Sequence, residues 1–289
     1  MSNTIELAKS FVPKLDECYR LASLTSVLDG APELAKQGAN ANELIIPMMS
    51  MDGLADYSRN GGYVQGGVTM TNETVKCNFD RGRRFDVDVM DDLETAGLAF
   101  GRLSAQFIRD KVVPELDAFR FASYCGISGV TKKEETLADG AATVAALSTA
   151  VTAMDDEEVT ATGRYLFITP TLLQGINDMD TTKSKKVLEG FEQVIKVPQR
   201  RFYTAIKQLS GKTGEEAGGY TKATGAANIN FAIVQKDALI QYTKHAAPKI
   251  IAPENNPDAD AYVFGYRMVG LAKAYKNMLS GMYFSHDKA

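Results

Sequence analysis

The chain has 289 residues, 45% of them hydrophobic and 24% charged, with a net charge of −4. This is ordinary globular composition, long enough for one large or two small domains around a sizeable core. No basic excess points to nucleic acid or an anionic membrane as a partner, and no run of about 18 apolar residues offers a membrane span.

The opening MSNTIELAKS has neither the basic start nor the apolar core of a signal peptide, so the protein is expected to stay in the compartment where it is made. Residues 3–28 read as a helix interrupted or restarted at Pro13, with Leu15, Tyr19, Ala22 and Ser26 on one face, packing on its own domain or reaching onto a neighbouring subunit. Ala31 to Asn42 is small and polar and reads as a connection.

Leu44-Ile45-Ile46-Pro47 is a short strand signal. Gly53, Gly61, Gly62, Gly66 and Gly67 follow within fifteen residues, against a rigid fold there. Val68 and Met70, then Val75, Cys77 and Phe79, then Phe85, Val87 and Val89 alternate with polar residues, the mark of strands with one wet face. The simplest assembly is a long mobile hairpin, outgoing near 44–51, returning near 63–80, with its tip at Arg59-Asn60-Gly61-Gly62. Such a ribbon is marginal alone in water and needs another surface, for which another copy of the chain is the best candidate.

Asp91 to about Cys125 reads as one long helix, with Leu93, Ala96, Phe100, Leu103 and Phe107 on one face and Asp91, Asp92 and Glu94 at its positive end. Pro114 removes a backbone donor, so a bend or break is expected near Asp110. Residues 126–142 read as a loop. A second helix places Val144, Leu147, Val151 and Met154 on one face, with Thr143 as its cap. Arg164 to Ile168 is a buried strand, and Thr169-Pro170 starts a helix with a capping oxygen at Thr169. A polar stretch holding Lys183, Lys185 and Lys186 follows. Val194–Val197, Phe202–Ile206 and Phe231–Val234 are strands, and 211–228 is an exposed glycine-rich loop. Lys236-Asp237-Ala238 is expected to start a short helix to about Lys244. Lys249–Ala252, Tyr262–Tyr275 and Met282–Phe284 close the chain as strands, so the fold class is α+β.

Little in the sequence carries chemistry. Cys18, Cys77 and Cys125 are odd in number and widely spaced, against a disulfide framework or a zinc site, and are expected to be reduced. His245 and His286 are the only histidines, too few for triads or multi-histidine metal sites. Gly211-Lys212-Thr213 ends like a phosphate-binding loop but has Ile206 where the first glycine belongs. Asp86, Asp88, Asp91 and Asp92 resemble a calcium loop, with Met90 at a ligand position and no obligatory glycine. Asp155–Glu158 reads as a solvated acidic face, and the Asn72-Glu73-Thr74 sequon has no secretion signal to expose it. Arg81, Arg83 and Arg84 form the densest basic cluster; at the hairpin base they are expected to bind carboxylates of a neighbouring copy. No catalytic, cofactor-binding or metal residues are assigned, and no enzyme activity is expected.

The ordered set of segments resembles a family. KVVPELDAFRF at 111–121, GRRFDVDVMD at 82–91, YLFITPTLLQGIND at 165–178, FAIVQKDALIQY at 231–242, KIIAPENNPDADAY at 249–262 and the closing GYRMVGLAKAYKNMLSGMYFSH are similar to the major capsid proteins of tailed bacteriophages, the Hong Kong 97 fold. The resemblance implies an N-terminal arm over 1–43, an extended E-loop over 44–84, a P-domain over 85–162 and 249–289 with its spine helix at about 91–125, and an A-domain over 163–248. It implies hexamers and pentamers in an icosahedral shell around double-stranded DNA, with portal, scaffolding and head-tail connector proteins as partners, no membrane and no cofactor, and assembly in the host cytoplasm. Arg59, Asn60, Tyr63, Arg81, Arg83 and Arg84 are the expected inter-subunit contacts. No scaffolding segment precedes the arm, and Met1 favours a separate scaffold over a removed leader. Lys76 and Asn60 lie in the E-loop, but nothing marks them for crosslinking. The alternatives are an encapsulin-like compartment shell enclosing a cargo enzyme, and a solitary α+β enzyme or binding domain.

Overall fold

The computed structural model describes residues 23–30, 36–37, 43–90, 105–179 and 182–288. The expected N-terminal helix up to Ala22, and Leu93, Ala96, Phe100 and Leu103 of the long helix, lie outside the described residues.

The central feature is helix α1 (Val113–Cys125), which runs on from an i→i+5 turn over Ile108–Val112. That turn sits where the proline required it. Pro114 has no N–H for the Asp110 carbonyl, and the ladder skips to the wider spacing, Val113 N–H reaching Ile108 O. α1 touches two sheets. Its first part, with Ile108, Val113 and Leu116, packs on Phe264, Tyr266 and Met268 of a three-stranded sheet. That sheet has the order β11 (Leu239–Ile251), β12 (Ala261–Ala274), β4 (Phe79–Asp88), all antiparallel. Its last part, with Phe121 and Tyr124, packs on Phe167, Ala232 and Phe284 of a five-stranded sheet.

The five-stranded sheet has the order β5 (Thr131–Glu134), β13 (Met282–His286), β10 (Ile229–Gln235), β6 (Arg164–Ile168), β7 (Gln193–Lys196). β13–β5 and β6–β7 are parallel, the inner pairs antiparallel. β10 is buried at every position because both its faces are covered. Ala232 and Val234 face α1, while Phe231 and Ile233 face helices α2 (Gly140–Asp156) and α3 (Pro170–Asn177). This sheet crosses the expected domain boundary, drawing β5 and β13 from one side of it and β6, β7 and β10 from the other.

Several sequence readings are corrected. Lys236–Ala238 is a single turn, not the start of a helix to Lys244; Gln235 Oε1 caps it, accepting from the N–H groups of Asp237 and Ala238. The chain then enters β11, whose residues pair with β12 from Leu239 onward, and ladder pairing outranks a local helix-start signal. Residues 126–142 are not simply a loop. β5 lies within them, a polar edge strand without apolar alternation, and α2 begins at Gly140. The cap of α2 is Asp139, whose carboxylate accepts from Ala142 N–H at 2.8 Å; Thr143 is inside the helix and donates back to Asp139 O. Thr169 occupies the cap position of α3 without a side-chain hydrogen bond. The polar lysine stretch is helix α4 (Thr182–Glu189). The strand read at Phe202–Ile206 is shifted to β8 (Ile206–Gln208), which pairs with β9 (Tyr220–Lys222) inside the glycine-rich segment.

A buried polar network fixes α1 to its surroundings. Asp117 is fully buried. Ser23 Oγ and Thr25 Oγ1 donate to its Oδ1 at 2.9 and 2.7 Å, and Leu24 N–H and Arg201 Nη1 donate to its Oδ2 at 3.1 and 3.2 Å. One turn on, buried Arg120 donates to Thr25 Oγ1 at 2.9 Å and to Asp29 Oδ1 at 3.1 Å. Gln241 of β11 donates to Thr25 O and Asp29 Oδ1, both at 2.7 Å, and accepts from Tyr124 OH at 2.6 Å. Segment 23–29, α1, the 199–201 turn and β11 therefore meet around two side chains.

Removing the carboxylate leaves Arg201 and the 24–25 amides buried without a counter-charge. Asp117→Ala is expected to lower unfolding stability by about 3–5 kcal/mol, read by urea titration of the unassembled chain. At the α2–α3 crossing, a Cβ on Gly140 would overlap the Gly175 carbonyl. Gly140→Ala is expected to destabilise by about 1–3 kcal/mol in the same titration, against the gain that alanine brings to an unhindered helix position.

Candidate assembly surface

The hairpin expected from the glycine pattern is present. β2 (Glu43–Met51) pairs antiparallel with β3 (Val68–Lys76), and β1 (Lys36–Gln37) borders β2 at its base. The tip is closed by a bridge between Ser58 and Gly62, with Gly62 at φ +74°, a conformation that suits glycine. Ser58 Oγ accepts from Gly61 N–H at 3.2 Å, and the rings of Tyr57 and Tyr63 lie 4.9 Å apart. Arg59, Asn60 and Tyr63 are thus brought together at the tip, all exposed.

The register decides what each face of the ribbon carries. Ile46 and Val75 share one face and are buried on Ile240 of β11 and Leu271 of β12. Lys276 holds Glu73 on that face at 3.0 Å. Farther out the same face turns polar, with Ser50 opposite Thr69. The opposite face carries the cross-strand pairs Met51–Val68 and Met49–Met70, and all four side chains are more than half exposed. Toward the tip, Leu54 and Tyr63 are 108% and 90% exposed. Eight of the ten large hydrophobic side chains exposed among the described residues lie between Met49 and Met70. An apolar cluster concentrated on one projecting element marks a contact surface, since scattered exposed apolar residues need no such account.

The three arginines of the basic cluster sit elsewhere, on β4, and each has a partner within the chain. Arg81 Nε donates to Glu115 Oε1 at 2.8 Å, and its Nη2 donates to the carbonyls of Leu209 and Gly219 at 2.7 and 3.2 Å. Burial pushes the Glu115 carboxyl above its ordinary range, and Arg81 opposes that shift. Arg83 donates to Glu216 O at 2.8 Å and lies so close to Gly211 and Gly218 that a Cβ on either would crowd its Nη1. Arg84 pairs with Asp86 at 2.8 Å, in solvent. Within the single chain these arginines are held by Glu115, Asp86 and loop carbonyls. Arg81 and Arg83 staple the 209–219 loop to β4, and Arg81 ties it to α1 as well, across a cleft of about 1310 Å³. Arg83, Lys111, Arg200 and Lys222 also line that cleft, and among the described residues none of them is ion-paired.

Of the discounted motifs, Asp91 and Asp92 of the calcium-like run lie outside the described residues. Gly211–Thr213 lies in the turn between β8 and β9, with no helix after it. Asp155 pairs with Arg164 at 2.7 Å, and no metal-binding cluster occurs among the described residues. Cys77 and Cys125 are free thiols, both pushed up by burial, Cys125 to about 11. The sequence pass missed the apolar quartet because Met49 and Met51 meet Val68 and Met70 only once the register is known. It also missed Asp117, which looks like any polar residue of a helix.

No family model and no curated protein matches the sequence. Solved structures do. The virus-like particle from Pyrococcus furiosus superposes with a TM-score of 0.60 at 10% identity, over 96% of this chain and 98% of that one. Gordonia phage Cozz gives 0.59 at 11% identity, over 93% and 87%. The capsid of the Cyanophage P-SCSP1u gives 0.56 at 11% identity, over 88% and 86%. At such identities the likeness is one of fold: the chain has the fold of tailed-phage capsid subunits, which it shares with the archaeal virus-like particle.

Proposed function

We propose that this chain is the major capsid protein of a tailed phage, a structural subunit whose copies assemble as hexamers and pentamers into an icosahedral shell around double-stranded DNA. The observation that carries the proposal is the ribbon β2–β3. It is anchored by one face at its base, and on the other it carries four apolar side chains that stay more than half exposed among the described residues. Fully covering a side chain of that size contributes about 1.5–3 kcal/mol, so a second copy laid on this face stabilises the pair. Repetition around a shell then adds avidity.

In this reading the architecture is Hong Kong 97-like. Residues 1–43 are the N-terminal arm and 44–84 the E-loop; 85–162 and 249–289 form the P-domain around the spine helix, and 163–248 form the A-domain, the two domains sharing the five-stranded sheet. Arg59, Asn60 and Tyr63 at the ribbon tip and Arg81, Arg83 and Arg84 on β4 meet a neighbouring subunit, Arg81 and Arg83 beside the 209–219 loop that they hold. Portal, scaffolding and connector proteins join the shell, the DNA is contacted without sequence preference, and the particle is a virion built in the host cytoplasm. Chemistry at a reactive centre has no part in this role.

A second reading is an encapsulin-like shell enclosing a cargo enzyme, supported by a fold shared over nearly the whole chain with a particle described as virus-like and not as a phage.

Electron microscopy of the purified protein separates these readings. Closed shells with five- and six-fold units are expected, and monomers at every concentration would overturn both shell readings. Nuclease-resistant double-stranded DNA in particles from the native source supports the phage; co-purifying protein cargo supports the compartment. Replacing residues 52–67 by an Asn-Gly turn is expected to keep the circular dichroism of the unassembled chain and abolish shells.

A further inference from the structure

The cleft between β4, the turn before α1 and the 209–219 loop is positive in a chain that is acidic as a whole, with 36 acidic residues against 32 basic ones. Six cations line it, Arg81, Arg83, Arg84, Lys111, Arg200 and Lys222, against three carboxylates. Each of those carboxylates already holds an arginine. Glu115 takes Arg81 at 2.8 Å, Asp80 takes Arg267 at 2.6 Å and Asp110 takes Arg109 at 3.2 Å. Arg84 is held by Asp86. Among the described residues no carboxylate is left for Arg83 on β4, Lys111 before α1, Arg200 of the 199–201 turn or Lys222 on β9.

The way these four are held matters as much as their number. Arg83 Nη2 donates to Glu216 O at 2.8 Å. Lys222 Nζ donates to Asn228 Oδ1 at 2.9 Å and lies 5.6 Å from the centre of the Tyr203 ring. The backbone of Arg200 is fixed by Tyr220, whose hydroxyl donates to the Arg200 carbonyl at 2.8 Å. A carbonyl, an amide or a ring steadies a cation without neutralising it, whereas a carboxylate cancels its charge. Burial pushes the Tyr220 hydroxyl up to about 12, so that group brings no negative charge at neutral pH. A cleft lined by uncompensated charge of one sign concentrates its field on whatever enters.

We propose that this cleft binds an oligophosphate, a ligand with several phosphates in a row, through Arg83, Lys111, Arg200 and Lys222. The phosphates come either from a free oligophosphate or from the backbone of a nucleic-acid single strand. The inference goes beyond the shell reading and does not rest on it. A volume of about 1310 Å³ exceeds the about 300–1,000 Å³ of a drug-sized ligand site, so there is room for more than one phosphate. Guanidinium groups match phosphate oxygens with two parallel hydrogen bonds, and lysines add point charge. The charged side chains left unpaired here are all donors. A phosphate chain is all acceptor, whereas an acidic peptide also brings N–H donors that need acceptors. The half-buried rings of Tyr203 and Tyr220 add faces on which bases of a strand can stack.

The test uses full-length protein in low salt, with inorganic tripolyphosphate followed by calorimetry and a labelled twelve-nucleotide thymidine strand followed by fluorescence anisotropy. Lys111 and Arg200 are exposed, and their side chains hold no group among the described residues, so the double variant K111Q/R200Q is expected to keep the wild-type circular dichroism. Its affinity for tripolyphosphate is expected to fall at least about tenfold. The same change of charge away from the cleft, K196Q/K249Q, is expected to alter affinity less than about twofold. For the strand, the slope of log affinity against log salt is expected to fall by about 1.4 in K111Q/R200Q, two phosphate contacts being lost. Both probes binding through these residues supports the site. A strand at least about tenfold tighter than tripolyphosphate then assigns the phosphates to nucleic acid, and equal or weaker binding assigns them to a free oligophosphate. Neither probe binding wild-type protein, or K111Q/R200Q binding as wild type does, overturns the site. A hexaglutamate peptide that binds more tightly than tripolyphosphate overturns the choice of phosphate. Each of these outcomes leaves the shell reading standing.

Discussion

A carboxylate taken wholly out of water sets the geometry of this molecule. Asp117 is fully buried, and a buried charge is tolerated only while each of its partners stays in place. Those partners come from two parts of the chain remote from α1 in sequence, the 23–25 segment and the 199–201 turn. Moving any of them away exposes an unpaired charge in a dry site. An apolar cluster in its place would hold α1 as tightly, but it would let the helix slide or rotate against its neighbours at small cost. Hydrogen bonds to both carboxylate oxygens remove that freedom. The consequence is a helix pinned between its two sheets, with the 23–25 segment pinned beside it.

The ribbon is the counterpart of that rigidity. Its base shares in the body through Ile46 and Val75, while its outer part stays exposed among the described residues. The change happens within one strand. On the face that buries Ile46, the residues two and four positions on are Met48 and Ser50, and the packing stops; on the other face Met49 and Met51 begin the apolar quartet. A chain selected for a solitary life would reverse this, placing polar residues on the face that meets water. The fixed base gives the ribbon its direction, and the glycine tip lets its end adjust where contact angles differ between neighbours.

How much of this was readable from the sequence depended on whether the signal was local. β10, β6 and β12 announce themselves as apolar runs, because a strand covered on both faces has no polar positions to break the run. α2 announces itself by spacing alone, and the ladder defect before Pro114 follows from one missing N–H. β5 does not, since an edge strand of Thr, Lys, Lys and Glu looks like a loop until β13 is found beside it. α4 is hidden for the same reason in helical form: a polar stretch shows little apolar stripe. At Lys236 the local signal pointed the wrong way, because the turn there is capped like a helix start and only pairing with β12 reveals a strand. The arginine cluster was visible as a cluster, but its partners Glu115, Leu209 and Gly219 lie 34, 128 and 138 residues away, out of reach of any reading along the chain. Asp117 and the apolar quartet belong with it, being properties of residues that meet only after folding.

That distinction bears on how such a chain encodes assembly. Contacts inside the subunit are specified by side chains that lock: a carboxylate with five donors, an arginine against two glycines, a Gly140–Gly175 crossing with no room for a methyl. The projecting ribbon is specified differently, by small polar and flexible apolar residues, with methionine prominent among them. Methionine adapts to irregular surfaces at little cost. A subunit that must fold one way but meet neighbours in several slightly different ways is best served by this division. In the proposed shell, the locked interior bears the entropy cost of order once, during folding, and leaves the ribbon free to follow whatever geometry its neighbours impose.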